Sequence, residues 1–358
     1  MIDFGSGQGP IVTILSTSLT SYREKLYREL LGPNCSLLEV YYDRPKASDC
    51  SRGIYVDGSD ARFSAGPRLR HVTFLRENRD CDILVVEFAL RLVNLWLLLL
   101  RRPKSRVLLW GHFKAGKSRI ATSLRVKICH RAQSLGYRFI TYSAEHKQFL
   151  VGRGIDANRV SVAMNGYVSD SVISEARRTY ASDEAPIKVV GVPGSLYATR
   201  VDDAWIEKVR ALAETFEVRV FGGGKMTSAA SELFRNYDQV KFFGPLEQEQ
   251  LMKQFGLCDA LILLKPVGGL VIECAATGLP VFVEEHAQNG PEVDLIRSPN
   301  LFRFGYGHSP ASLLIMISTV ANESRALVAK EMVFRQFDEF QKSARESILG
   351  AFLGIGVS

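Results

Sequence analysis

The sequence predicts an α/β protein of two domains, each built around a parallel, doubly wound sheet. Short apolar runs rich in β-branched residues alternate with amphipathic helical patterns along almost the whole chain. The alternation pauses once, at the polar stretch 169–186, which has the pattern of a helix followed by a linker, and then resumes. The length of 358 residues also suits two domains of ordinary size better than one. Strands that alternate with helices indicate parallel pairing, because each crossover helix returns the chain to the same end of the sheet.

The first half, which we expect to form a domain over residues 1–170, opens with a strand and an amphipathic helix at 18–30. A basic helix is expected at about 117–135. The apolar stretch 83–100 is long enough to suggest a membrane span, but Glu87 and Arg91 interrupt it. A charge at the bilayer centre costs about 2.5–3.5 kcal/mol, so a buried strand followed by an apolar helix is the better interpretation. The predicted strands are 11–15, 37–42, 83–87, 106–110 and 138–142.

The second half, which we expect to form a domain over residues 187–334, repeats the alternation more regularly. Its predicted strands are 187–192, 217–222, 241–244, 260–264 and 280–284. Helices are predicted between them at about 203–215, 227–236, 247–256 and 269–277. The last stretch, 323–350, has the pattern of one or two amphipathic helices.

The net charge of +7 favours an anionic partner, and it is concentrated in one segment that holds no acidic residue. An anionic membrane, a phosphorylated small molecule and a plain solvated face all fit this basic cluster. Nucleic-acid binding is weakly supported, because the basic helix lacks interleaved aromatic residues. The cluster comprises Arg101, Arg102, Lys104, Arg106, Lys114, Lys117, Arg119, Arg125, Lys127 and Arg131.

The cysteines and histidines argue against disulfides and metal sites. The six cysteines are scattered, with no CxxC pair, as expected for free thiols in a reducing compartment. The six histidines show no HExxH motif and no metal-ligand spacing, so we expect no metal. The N-terminus lacks a basic region followed by an apolar run. We therefore expect a cytoplasmic protein.

Three glycine-rich turns follow predicted strands of the second half: Gly191–Ser195, Gly222–Lys225 and Val267–Gly269. Ligands of open α/β sheets bind outside the carboxyl ends of the strands. Glycines there let the backbone approach a phosphate, and the N-terminus of the next helix favours negative charge. Turn chemistry alone is the competing explanation.

The order and spacing of several segments resemble the retaining GT-B glycosyltransferases of the large family 4 type (glycosyl transferase group 1), including exopolysaccharide transferases. The resemblance implies two Rossmann-like domains facing across a cleft, with the C-terminal helix, about 335–358, packing back on the first domain. In the second half the segments are GSLYATR (194–200), FGGGK (221–225), VKFFGPLEQEQLMKQFGLCDALIL (240–263) and GGLVIECAATGLPVFV (268–283). In the first half they are SYREKLYREL (21–30), WGHF (110–113) and VGRGIDANRVSVAMNGYVSD (151–170).

The resemblance also implies the residues of a nucleotide-sugar site. Arg200 matches the cation that clamps the diphosphate, Glu273 matches the acceptor of ribose hydroxyl bonds, and His112 matches the catalytic histidine near the transferred sugar. Gly268 and Gly269 would offer N–H groups to the pyrophosphate. The implied donor-binding residues are Gly194, Ser195, Arg200, Gly222, Gly224, Lys225, Gly268, Gly269 and Glu273. On the acceptor side they are Ser18, Thr20 and Asn165.

Two residues depart from the family pattern. Lys265 stands where the family has a Glu that contacts the donor sugar. Its position makes Lys265, together with His112, a candidate catalytic residue. Ser195 replaces an Arg that binds phosphate, and Lys225 or Lys265 would restore part of that charge. The reversed charge at Lys265 motivates an alternative, a non-catalytic glycosyltransferase-like subunit.

The resemblance implies transfer of a sugar from a UDP- or GDP-sugar to a saccharide or lipid-linked acceptor, with retention and without metal or cofactor. The basic, apolar first domain suggests peripheral contact with the inner membrane face. A further alternative is a P-loop NTP-dependent phosphotransferase, because GHFKAGKS (Gly111–Ser118) fits the phosphate-loop motif between a predicted strand and helix. There Lys117 would bind phosphates and Ser118 would bind Mg²⁺, but the motif follows a later strand rather than the first.

Overall fold

The computed structural model consists of two compact units, which are residues 1–167 with 341–358, and residues 168–340. The second unit therefore begins earlier than the predicted boundary at 187 and includes a helix that the sequence pattern assigned to the connection. The structure describes residues 9–16, 26–27, 31, 35, 37–42, 81–90, 92–100, 104–113, 119–163, 168–179, 187–198, 201–264, 268–284, 301–304, 309–323, 337–339, 342 and 346–352.

The first unit is a parallel sheet with the strand order β2-β1-β3-β4-β5-β6. The order reverses between β1 and β3, because β2 lies on one side of β1 and all later strands lie on the other. The predicted strands of this half are confirmed, and the short β6 is an addition. The strands are β1 (Ile11–Ser16), β2 (Leu37–Tyr42), β3 (Ile83–Glu87), β4 (Arg106–Gly111), β5 (Arg138–Thr141) and β6 (Val160–Val162).

Helices α1 (Val93–Leu100), α2 (Arg119–Ser134) and α3 (Ala144–Val151) cover this sheet. The apolar stretch 83–100 is a buried strand and a short helix, as predicted. The carbonyls of Leu98 and Leu99 near the end of α1 accept hydrogen bonds from Tyr137 and Arg131. Within the part of the chain that the structure describes, no helix is both long and apolar enough to span a bilayer.

The described residues after position 340 belong to the first unit, whereas residues 337–339 belong to the second. Residues 346–352 are helical, and Ile348, Ala351 and Phe352 are buried in the core on one face of the first sheet. Arg106 at the start of β4 donates a hydrogen bond to the carbonyl of Phe352 over 2.8 Å. The chain thus returns to its first domain after completing the second.

The second unit is also a parallel sheet, with the strand order β12-β11-β10-β7-β8-β9. Its first strand is central, which is the order of a dinucleotide-binding Rossmann fold. All five predicted strands of this half are present, and β12 is an addition. The strands are β7 (Val189–Pro193), β8 (Glu217–Phe221), β9 (Val240–Gly244), β10 (Ala260–Leu263), β11 (Val281–Glu284) and β12 (Leu301–Phe304).

Six described helices accompany this sheet, and five of them match predicted ones. The first, α4, lies in the stretch 169–186, where a helix followed by a linker was predicted, and the last, α9, was not predicted. The helices are α4 (Asp170–Thr179), α5 (Asp203–Ala213), α6 (Thr227–Leu233), α7 (Gln248–Phe255), α8 (Leu270–Thr277) and α9 (Pro310–Glu323). The α/β fold class predicted from the sequence is confirmed in both units.

A buried ion pair joins α5 to the sheet of the second unit. Nζ of Lys208 lies 2.6 Å from Oε1 of Glu284 at the end of β11, and the two side chains are 6% and 2% exposed. The ammonium group also lies 5.4 Å from the ring centre of Phe304. Desolvating an ion costs several kcal/mol, so each partner depends on the other to offset its burial.

We predict that Glu284→Gln lowers the free energy of unfolding by about 3 kcal/mol or more, because it leaves the Lys208 ammonium buried without its counter-charge. Urea unfolding followed by tryptophan fluorescence measures this, since Trp205 lies in the same core. The matched control is Glu232→Gln, which breaks an exposed ion pair with Arg235. The Glu232 side chain is 71% exposed and that of Arg235 is 75% exposed. The control should change stability by less than about 1 kcal/mol. Equal effects of the two substitutions would contradict the prediction.

Candidate functional site

The candidate site lies at the carboxyl edge of the second unit's sheet. The strand order reverses between β7 and β10, because β8 and β9 continue on one side and β11 and β12 on the other. Ligands of open α/β sheets bind at such a reversal, outside the carboxyl ends of the strands. The turns after β7, β8 and β10 carry Gly194, Gly222 and Gly268 in that order. Topology therefore brings the three predicted glycine-rich turns to one edge.

The turns after β7 and β8 are hydrogen-bonded to each other. The N–H of Gly194 donates to the carbonyl of Phe221 over 2.9 Å, and the N–H of Leu196 donates to that of Gly223 over 3.1 Å. A bond of 2.9 Å returns from the N–H of Met226 to the carbonyl of Leu196. The two loops therefore form one rigid rim.

Glycine is required in this rim because the two backbones touch. A Cβ on Gly222 would lie 1.8 Å from the carbonyl oxygen of Gly194, and one on Gly224 would lie 2.2 Å from that of Leu196. Gly222 also has a φ of +115°, which side chains rarely adopt. The N–H of Gly222 donates to Gly244, and that of Gly224 donates to the Thr227 hydroxyl. Packing accounts for both glycines without a ligand.

Gly268 and Gly269, before α8, differ from the rim glycines. A Cβ on Gly268 would meet no atom within 4 Å. Their carbonyls accept from Val271 and Ile272, which starts the helix. Among the described residues, no acceptor faces the N–H groups of the two glycines. A helix N-terminus with such N–H groups favours an anion.

Glu273 lies one turn along α8 from Gly269, on the same face of the helix. Its side chain is buried, and Oε1 accepts a 2.9 Å hydrogen bond from Nε2 of Gln248 at the start of α7. Gln248 is buried as well and was not predicted from the sequence. Burial, followed by the charge of Glu273, raises the pKa of the Cys274 thiol well above its usual range, so that thiol is neutral. The amide of Gln248 fixes the carboxylate's orientation.

His112 lies at the carboxyl edge of the first unit's sheet, directly after β4, with its side chain exposed. Its ring centre is 4.6 Å from that of Tyr142 and 5.7 Å from that of His146. Arg125 of α2 donates to the His112 carbonyl and lies 5.8 Å from the ring centre of Phe88. Tyr142 and His146 were not predicted as neighbours, and together these contacts hold an accessible imidazole at the strand end.

Two described residues of the phosphate-loop motif, Gly111 and Phe113, pack in the core of the first unit. Gly111 belongs to β4, and a Cβ there would lie 3.1 Å from Cβ of Phe88. Phe113 is fully buried and stacks on Phe88 at 4.4 Å. A phosphate-binding loop directs successive N–H groups at its ligand, whereas the second residue after this glycine is anchored in the core. Contact with Phe88 therefore explains Gly111 without a nucleotide.

Similar solved structures share this architecture. The galactosyltransferase WaaB of the lipopolysaccharide outer core, in its apo form, matches with a TM-score of 0.63 and 14% identity over 96% of this chain and 99% of that one. HepE from Anabaena, in complex with UDP and glucose, matches with a TM-score of 0.62 and 16% identity over 95% and 100%. The chain has the GT-B fold. No protein-family model and no curated protein sequence matches it.

The GT-B fold does not fix the reaction. UDP-N-acetylglucosamine 2-epimerase from Rickettsia bellii matches with a TM-score of 0.63 and 11% identity over 97% of this chain and 96% of that one. Transferases and an epimerase therefore resemble the structure of this chain to a similar degree. The reaction has to be argued from the residues of the site.

The remaining predicted residues have different outcomes. Ser195 and Lys225 lie on the rim loops, with Lys225 exposed. Lys117 and Ser118 of the phosphate-loop motif lie outside the described residues, so their roles stay predictions. The described residues hold no group of three or more His, Cys, Asp or Glu that would bind a metal ion. Five other predicted residues also lie outside the described part, namely Arg200, Lys265, Ser18, Thr20 and Asn165.

We predict that Gly222→Ala lowers the free energy of unfolding by at least about 2 kcal/mol, because a methyl group there both collides with the Gly194 carbonyl and disfavours the backbone angle. Gly268→Ala is the matched control and should stay within about 0.5 kcal/mol of wild type, since its methyl group meets open space. Chemical denaturation of the three proteins measures the difference. A Gly222→Ala protein as stable as wild type would refute the explanation by loop contact.

Proposed function

We propose that this protein is a glycosyltransferase that moves a sugar from a nucleotide-diphosphate donor, a UDP- or GDP-sugar, to a saccharide or lipid-linked acceptor. The observation that carries the proposal is the arrangement of α8 at the strand-order reversal. Its N-terminus offers N–H groups at Gly268 and Gly269, and the buried carboxylate of Glu273 lies one turn away. The similar structure of HepE holds UDP and glucose in a protein of the same fold.

Each end of this arrangement suits one part of a nucleoside diphosphate. The helix dipole and the N–H groups of Gly268 and Gly269 stabilise the negative charge of a diphosphate. A carboxylate offers only hydrogen-bond acceptors, so Glu273 suits the ribose hydroxyls. One helical turn, about 5.4 Å, separates the two ends. The bond from Gln248 keeps the carboxylate in place before the ligand arrives.

In the proposed reaction, the diphosphate leaves while its developing charge is stabilised by the N-terminus of α8 and by Arg200, without a metal ion. His112 acts at the transferred sugar, and the anomeric configuration is retained, as in the family that the sequence resembles. Lys265 would replace the usual contact of a Glu with the donor sugar. If Lys265 abolishes turnover, the protein is a non-catalytic subunit that still binds the nucleotide.

We predict that Glu273→Gln weakens UDP binding about tenfold or more, because hydrogen bonds to a charged group are worth more than neutral ones. Wild type should also bind UDP more tightly than 2′-deoxy-UDP, and Glu273→Gln should reduce this preference. Isothermal titration calorimetry with both nucleotides measures the effect, and Glu232→Gln on the exposed face of α6 is the control.

Three outcomes of this experiment have different meanings. Equal UDP affinity of wild type and Glu273→Gln would refute the proposed donor site. UDP binding without sugar transfer from any UDP- or GDP-sugar would indicate the non-catalytic subunit. Formation of an epimerised nucleotide sugar without an acceptor would replace transfer by epimerisation.

We also propose that the first unit contacts an anionic membrane surface, which would bring a lipid-linked acceptor within reach. Helix α2 holds no acidic residue and exposes Ile120 at 85% and Leu124 at 41%. Lys127 and Arg131 continue the same stripe of the helix. Exposed apolar residues followed by cations favour an interfacial position on anionic lipid.

We predict that the double substitution Ile120→Ser/Leu124→Ser lowers the affinity for phosphatidylglycerol-containing vesicles at least about tenfold, because it removes two apolar side chains from the contact. Vesicle co-sedimentation measures the affinity. The matched control is Leu233→Ser/Ile315→Ser, which removes two exposed apolar residues of the second unit, 45% and 67% exposed. Equal losses in the two double variants, or no binding by wild type, would contradict the proposed surface.

A further inference from the structure

Helix α4 packs against the two helices that carry the proposed nucleotide site. It is the first element of the second unit, which begins at residue 168. It contacts both α7 and α8, whose side chains Gln248 and Glu273 form the buried hydrogen bond described above. Ile173 and Ala176 of α4 are themselves buried. The connection into the second unit therefore leads directly into a helix that supports the site.

Arg177, near the end of α4, is bonded to the C-terminal end of α8. Its Nε donates a 3.2 Å hydrogen bond to the carbonyl of Ala276, the second-last residue of α8. Backbone carbonyls in the last turn of a helix lack partners within the helix, and the negative end of the helix dipole lies there. A guanidinium at this position therefore satisfies a carbonyl and stabilises α8. The opposite end of the same helix carries Gly268 and Gly269.

The same guanidinium binds the segment by which the chain leaves the second unit. Nη1 and Nη2 of Arg177 donate to Oδ2 and Oδ1 of Asp338 over 3.2 and 3.1 Å. Asp338 lies shortly before residue 340, the last residue of this unit. The Arg177 side chain is only 18% exposed. One side chain thus links the entry segment, the exit segment and α8.

This combination of bonds requires an arginine. Ala276 and Asp338 lie 99 and 161 positions from Arg177, so topology alone brings the three residues together. A guanidinium carries five N–H donors in a fixed planar fork, which suits a paired contact with a carboxylate. A lysine ammonium is a compact charge, and it cannot reproduce the paired contact together with the bond to the Ala276 carbonyl.

We propose that Arg177 is a positioning residue of the nucleotide site, which fixes α8 and couples binding at its N-terminus to the segments that connect the two units. The inference rests on the proposed function for its ligand, a nucleoside diphosphate. Helix α8 has eight residues, so its two ends belong to one rigid element about 12 Å long. Fixing one end of so short a helix restricts the position of the other. By thermodynamic linkage, a ligand that requires this position of α8 in turn stabilises the bonds of Arg177.

We predict that Arg177→Lys and Asp338→Asn each weaken UDP binding at least about threefold, because α8 loses part of its anchor. The double variant should bind no more weakly than the weaker single variant, since the two residues act through one contact. Isothermal titration calorimetry measures the affinities at a temperature at which all variants are folded.

The matched control is Glu217→Gln, which breaks charged hydrogen bonds to Arg219 and Lys241 at the start of β8. The Glu217 side chain is 22% exposed, close to the value for Arg177, and belongs to the same unit. Because it has no bond to α8 among the described residues, the control should change the UDP affinity less than about twofold.

Hydrogen exchange followed by mass spectrometry separates positioning from a merely structural role. UDP bound to wild type should slow the exchange of backbone amides in α4 and in residues 337–339, as well as at the start of α8. In Asp338→Asn the slowing at α8 should remain, whereas the slowing at 337–339 should be lost. A merely structural role predicts the same exchange at 337–339 with and without UDP.

These outcomes are distinguishable from failure of the proposed function. Wild type that does not bind UDP would contradict the donor site, and this inference with it. Equal UDP affinities of wild type, Arg177→Lys and Asp338→Asn, or exchange at 337–339 that UDP leaves unchanged, would overturn the positioning role and leave the donor site standing. If Arg177→Lys does not fold, Asp338→Asn decides alone, because Asp338 is 55% exposed and its substitution spares the bond to Ala276.

Discussion

Parallel strand pairing is the constraint on which every site in this protein depends. When all strands of a sheet run in one direction, each crossover helix begins at the same edge, and the turns that precede the helices are gathered there. The first strand of each unit is interior to its sheet, so the strand order reverses beside it. At such a reversal, the connections from two neighbouring strands lead away in opposite directions, which leaves room for a ligand at the carboxyl ends of the strands. In the second unit this position receives Gly194 and the turn before α8, and in the first unit it receives Ser16 and Glu87.

Glycines serve two different purposes at the edge of the second unit. Gly222 and Gly224 let two loops approach to a distance that no Cβ would allow, and the resulting bonds hold the rim rigid. Gly268 makes no such contact, and α8 begins beside it. A rigid rim next to an open helix N-terminus is suited to catalysis by preorganised dipoles, because no reorganisation is needed when charge develops. The rim loops and the N-terminus of α8 lie at the same edge of the sheet.

Much of the fold could be predicted from the sequence, because the core strands are short, continuous apolar runs that alternate with helical patterns. The strand β6 was missed since three residues are too few to show a period, and α9 was missed because its apolar residues are not confined to one clear stripe. The site was predictable only in part. Nothing local distinguishes Gly222 from Gly268, because their difference lies in what another loop places beside them. The bonds from Gln248 to Glu273 and from Ser16 to Glu87 join residues 25 and 71 positions apart, and such pairs are set by topology.

The chemistry of the two edges bears on the choice between transfer and epimerisation. The edge of the second unit offers N–H groups at a helix N-terminus, which suits the anionic part of a nucleotide sugar. At the edge of the first unit, the Ser16 hydroxyl donates a hydrogen bond to the Glu87 carboxylate. An epimerase acts on one nucleotide sugar and has no need of a second, neutral ligand. Transfer requires a second ligand beside the nucleotide sugar, so binding of an acceptor is the property that would distinguish a transferase from an epimerase of the same fold.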